Sequence, residues 1–144
     1  MQLQKSHETA ALSVTHHYDV PPQRVFDAWL DPLTAGQWLF STPAGKMKTV
    51  EIDARVGGNF TITEERDGKD VEHHGEYLAI DCPRYLVFSF GGRDFPATQV
   101  RVKIIAAGEG CDLTLTHDGV WADYEEKTRQ GWTMILENLA KTLS

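Results

Sequence analysis

Two side chains stand out as candidates for chemistry, Glu64 and His117. Each follows apolar residues in an alternating run, Phe60 and Ile62 before Glu64, Leu115 before His117, and residues two apart on a strand share a face. A carboxylate in that company loses water, so its pKa would rise and it could hold a ligand's polar end or act as a base. The competing reading places Glu64 at a frayed strand end, beside Glu65 and Arg66 and next to the Asp67-Gly68 turn, where it reaches water. His117 could donate to a ligand or shuttle a proton, or it could be a hydrogen-bonded structural group.

Other reactive types lack the spacing their chemistry needs. His16-His17 and His73-His74 are adjacent, and strand neighbours point to opposite faces, so neither pair can chelate one ion. No HxxxH, HExxH or CxxC occurs, and neither a metal nor a cofactor is expected. Cys82 precedes a proline in a turn and Cys111 lies in an apolar register, so both read as reduced thiols without an activating base; no GxSxG appears. Gly57-Gly58 joins two strands and opens no helix, which makes it a turn or bulge rather than a phosphate loop. Arg55 is expected to pair with Asp53.

Composition narrows the partners. A chain of 144 residues with 41% apolar content forms one domain, placed at 11–144 after a loose polar segment at 1–10. The formal charge of −7 disfavours nucleic acid and anionic membranes, both of which need concentrated Lys and Arg. There is no run of 18 apolar residues for membrane insertion, and the start MQLQKSHETAA lacks a secretory signal's apolar stretch, so a cytoplasmic location is expected.

The elements that position these residues follow from periodicity. LSVTHHYD at 12–19 alternates, giving a first strand with Leu12, Val14, His16 and Tyr18 on one face. Pro22 suits a first helical turn, and Val25, Phe26, Trp29 and Leu30 recur at helical spacing. Pro32 disfavours helix at Asp31, which can instead cap a second short helix carrying Leu33, Trp38 and Leu39. Six further strands are expected at 46–53, 58–65, 71–80, 85–90, 98–106 and 111–118, with turns at Gly57-Gly58, Asp67-Gly68, Cys82-Pro83, Gly91-Gly92 and 108–110. Short connections imply antiparallel pairing. A helix at 123–143 presents Tyr124, Thr128, Trp132, Ile135, Leu136, Leu139 and Leu143 as an apolar stripe. The sheet's apolar face is the only surface large enough to receive it, which gives an α+β fold: a curved antiparallel sheet of about seven strands wrapped on a long C-terminal helix.

That order of elements, with PPQRVFDAWLDP followed by Trp38, DARVGGNF at 53–60, GEYLAIDCPRYLVFSF at 75–90, LTLTHDG at 113–119 and GWTMILENLAKTL at 131–143, resembles the START-like helix-grip superfamily (SRPBCC). Within it the chain resembles the group named after the activator of the heat-shock protein 90 ATPase. The resemblance implies a cavity between sheet and helix for a lipid, polyketide or aromatic molecule. The two short helices would seal one end with Phe26, Trp29, Trp38 and Leu39, leaving Trp38 and Phe40 near the mouth. Register then nominates Trp38, Phe40, Phe60, Ile62, Glu64, Phe88, Phe90, Val100, Val102, Leu115, His117, Trp132 and Leu136 as ligand-binding. The same pattern also describes an ordinary filled core.

Three roles follow as expectations. The first is a non-enzymatic binder of a small apolar or amphipathic molecule. The second is a cyclase- or aromatase-like enzyme with Glu64 or His117 moving protons. The third, implied by the family name, is a partner of a chaperone in the stress response. A homodimer through a strand edge or the long helix is compatible with the fold.

Overall fold

The computed structural model describes residues 9–92 and 95–143. The chain runs β1 (Thr9–Tyr18), α1 (Pro22–Leu30), α2 (Pro32–Trp38), β2 (Lys46–Ile52), β3 (Asn59–Arg66), β4 (Lys69–Asp81), β5 (Tyr85–Gly92), β6 (Phe95–Ala107), β7 (Gly110–Trp121), a 3-10 turn (Ala122–Tyr124) and α3 (Glu125–Leu143). The seven strands form one antiparallel sheet in the order β1-β7-β6-β5-β4-β3-β2. Register shifts between Ala10 and Leu12, Met47 and Thr49, Tyr77 and Ala79, and Phe90 and Gly92 interrupt four of the ladders. Such bulges bend a strand and increase its twist, which curls the sheet.

Trp132, Leu136, Leu139 and Leu143 of α3 are buried, and the helix packs on β1 and β7 of that sheet and on α1 and α2. Polar ties reinforce the contact where β1 meets the helix: the Tyr18 hydroxyl donates to the Leu136 carbonyl at 2.9 Å, and Arg129 donates to the Ser13 carbonyl at 2.8 Å. Tyr124 departs from the expected stripe. It lies in the 3-10 turn before α3 and is 46% exposed, because the chain leaves β7 through that turn and the regular helix begins only at Glu125.

The proline-interrupted segment forms the expected pair of short helices. Asp31 ends α1 and caps α2, its carboxylate accepting from the Thr34 amide at 3.2 Å and the Thr34 hydroxyl at 2.6 Å. Trp29 and Trp38 meet edge to face with centroids 4.7 Å apart, and the Trp38 indole donates to the Ala28 carbonyl at 3.1 Å. Trp38 is fully buried, so it belongs to this wedge and not to a mouth.

Several boundaries shift outward. Of the loose segment expected at 1–10, residues 1–8 lie outside the described residues, while Thr9 and Ala10 already pair with Trp121 and Val120. Gly91 and Gly92, expected as a turn, belong to β5, and residues 93–94 lie outside the described residues. The Arg55–Asp53 pair forms as expected, at 2.9 Å on the surface.

Candidate functional site

Alternation along β3 turns Phe60, Ile62 and Glu64 inward; their exposures are 4%, 0% and 1%. The expectation that Glu64 frays into water is therefore overturned. The carboxylate is covered by the segment between α2 and β2 and is surrounded by donors. The Thr42 amide donates to Oε2 at 2.8 Å, the Thr42 hydroxyl to Oε1 at 3.0 Å, and Arg66 Nε to Oε1 at 2.6 Å. Arg66 also donates to the Phe40 carbonyl at 3.0 Å. Burial pushes the Glu64 pKa up, but the Thr42 amide, the Arg66 guanidinium and the Thr42 hydroxyl together outweigh it and hold the group below its ordinary value. The raised pKa expected of a general base does not arise. Gly45 completes this arrangement: a Cβ there would collide with the Glu64 carboxylate, so only glycine lets the chain cross so closely.

His117, on β7, is buried at 4% exposure and satisfied at both nitrogens. The Trp132 indole donates to Nδ1 at 3.0 Å, which makes Nδ1 the acceptor and places the ring proton on Nε2. Nε2 then donates to Thr98 Oγ1 at 2.6 Å, and that hydroxyl donates to the Phe90 carbonyl at 3.0 Å. Burial lowers the His117 pKa to about 4, so the ring is neutral at neutral pH. This chain ties α3 to β5, β6 and β7 and leaves neither nitrogen free for a proton shuttle.

Between these two networks lies a cluster of rings. Phe40 stacks on His73 with centroids 4.2 Å apart and planes 9° apart, and it also meets Phe90 at 5.3 Å and Trp132 at 5.8 Å. Phe90 in turn touches Trp132 at 5.7 Å and His117 at 5.4 Å. Phe40 is buried, whereas His73 and Phe90 are only partly so, which puts the cluster at the rim of the core. His73 Nδ1 is itself buried and has no hydrogen-bond partner among the described residues. Burial, and next to it the Arg66 charge, lower the His73 pKa to about 4.

Sequence reasoning overlooked His73 as a single residue. It faces Ile62 across the β3–β4 ladder, so the alternation that turned Ile62 inward also identifies it, while His74 is exposed on the opposite face. Arg66 was available by the same parity with Glu64. Thr42, Gly45 and Thr98 carry no such signal, because their roles depend on how a loop and a neighbouring strand arrive.

The remaining nominated residues are closely packed. Ile62, Val100, Val102, Leu115 and Leu136 have no exposure, and Phe60, Phe88 and Trp132 have at most 4%. A water-sized void beside them would leave accessible surface, so the interior between sheet and α3 is filled there by its own side chains. A polar groove of about 750 Å³ is lined by Arg24, Asp27, Asp31, Thr34, Gln37 and Thr142, among others, and it shares no residue with the ring cluster.

Among curated proteins none matches the chain. Solved structures do. The chain is similar to protein CV1439 from Chromobacterium violaceum, with 26% identity and a TM-score of 0.83 over 91% of this chain and 94% of that one. It is similar to protein Mll3558 from Rhizobium loti, with 25% identity and a TM-score of 0.82 over 96% and 99%. Protein SA2116 from Staphylococcus aureus, described as of unknown function, shares the fold at 16% identity with a TM-score of 0.85 over 94% of each chain. Residues 19–144 match the family described as Activator of Hsp90 ATPase homolog 1-like protein. With that match covering most of its length and the curled sheet closed on α3, the chain belongs to the activator of Hsp90 ATPase homolog 1-like family and has the START-like helix-grip fold.

Proposed function

We propose that the protein binds a small apolar or amphipathic molecule between the sheet and α3, at the end where Phe40, His73, Phe90 and Trp132 meet. The observation that carries this reading is the ring cluster itself. It combines flat apolar faces with one buried polar atom that has no hydrogen-bond partner among the described residues, His73 Nδ1, and it lies at the rim where His73 and Phe90 keep some exposure. Apolar surface with a few placed polar groups is the composition of small-molecule sites, and an unsatisfied buried nitrogen calls for a partner. A proton-transfer role has less support, since the Glu64 carboxylate accepts three hydrogen bonds from Thr42 and Arg66 and both His117 nitrogens are engaged.

Trp132 provides the probe. Titration of the full chain with fatty acids, aromatic compounds and polyketides should give saturable quenching of tryptophan fluorescence and a raised melting temperature. In Trp132→Phe the quenching should largely disappear while the thermal shift persists. A panel that moves neither signal in the wild-type protein would defeat the proposal.

A further inference from the structure

We infer that Phe40 is a displaceable plug: its ring holds the place of a planar aromatic ligand on His73, and the Glu64–Arg66–Thr42 network latches the segment that carries it. The inference rests on the binding reading above and specifies its ligand class and its control. Three observations converge on it. Phe40 stacks nearly parallel on His73 at 4.2 Å and closes the cluster over Trp132, the geometry a flat ring entering from the rim would adopt. Its backbone is left-handed, with φ of 59°, a conformation that crowds any residue bearing a Cβ, so the surroundings hold the plug in place against a local preference to leave.

The third observation is how the segment is tied. Residues 39–45 form neither helix nor strand. They are held by hydrogen bonds from Thr42 to Glu64, from Arg66 to the Phe40 carbonyl at 3.0 Å, and from Asn138 to the Ser41 carbonyl at 3.3 Å. Polar ties of this kind can be exchanged for water when the segment lifts, whereas an apolar seam could not. Lifting Phe40 bares the face of the His73 ring, on which a planar aromatic ligand then stacks in place of the phenyl.

The test uses 2-naphthol and naphthalene as probes on the full chain. In the wild-type protein 2-naphthol and naphthalene should both quench Trp132 saturably, because stacking on the bared ring face asks for no polar substituent. At saturation the Thr42 amide, monitored by NMR hydrogen exchange, should exchange at least tenfold faster than in the free protein. Phe40→Ala should bind 2-naphthol at least tenfold more tightly, and Glu64→Gln, which loosens the latch and keeps the plug, should raise the association rate in stopped flow. If 2-naphthol or any other compound binds the wild-type protein while the Thr42 amide stays protected, the plug is refuted and the binding reading survives. If nothing binds the wild-type protein, both fall, even where Phe40→Ala gains a site, because truncation alone can open a void.

Discussion

At the scale of single residues, His117 shows how a group that looked reactive is made structural. Its Nδ1 accepts from Trp132 and its Nε2 donates to Thr98, so a second proton has no acceptor to meet, and burial holds the pKa at about 4. The unfolded chain takes up that proton near pH 6.5, the folded one only near 4, so the unfolded state binds more protons throughout that window. Stability from His117 is therefore complete above about pH 6.5 and drains as pH falls towards 4, by an amount on the order of 2–3 kcal/mol. His73 adds to the slope with the same sign. Urea unfolding at pH 7 and pH 4.5 should show the loss, and His117→Gln should flatten it; an unchanged slope in the variant would assign the dependence elsewhere. Glu64 acts lower on the scale: held below its ordinary 4.5, it contributes above that value and loses its contribution only below it.

At the scale of elements, the device that aims the plug is the junction of α1 and α2. Helix α2 has seven residues, too few to stand on propensity alone, and it depends on the Asp31 cap and on Trp38 packed against Trp29. It ends at Trp38 with Leu39 as its C-cap, so its direction sets where Phe40 enters the core. Asp31→Ala should cost about 1 kcal/mol in urea unfolding, the usual value of an N-cap, and should speed exchange of the Thr42 amide by loosening the following segment. A variant with wild-type stability and exchange would show that the packing of Trp29 and Trp38 holds α2 without its cap. The glycine at position 75 has a comparable local meaning: a Cβ there would meet the Ser89 carbonyl and the Phe60 ring, so its absence lets Phe60 lie across β4.

At the scale of the whole molecule, sheet and helix share one core. Leu136 has no exposure, and its carbonyl accepts the Tyr18 hydroxyl from β1 at the far edge of the sheet. Leu136→Ala should therefore destabilise the protein by about 2–5 kcal/mol and leave one cooperative transition seen alike by fluorescence and circular dichroism. Separate transitions for helix and sheet would show that the two layers do not share the core as the packing indicates.

The strand alternation and helical spacing were enough to read seven strands, the capped helix pair and the inward faces of Glu64, His117 and Trp132, because those periods are properties of the backbone repeat. Family words in the right order carried the helix grip. What Glu64 does was not readable from parity: the same inward carboxylate becomes a base or a latch depending on whether donors arrive, and Thr42 and Gly45 come from a loop whose path no period encodes. His117 likewise faced inward by alternation, but its tautomer and neutrality come from Trp132 on α3 and Thr98 on β6, 15 and 19 residues away in sequence. The close packing of Ile62, Val100, Val102, Leu115 and Leu136 belongs to this second class. Apolar pattern states which side chains avoid water, whereas whether they meet one another or line a void depends on how closely the helix and the curled sheet approach.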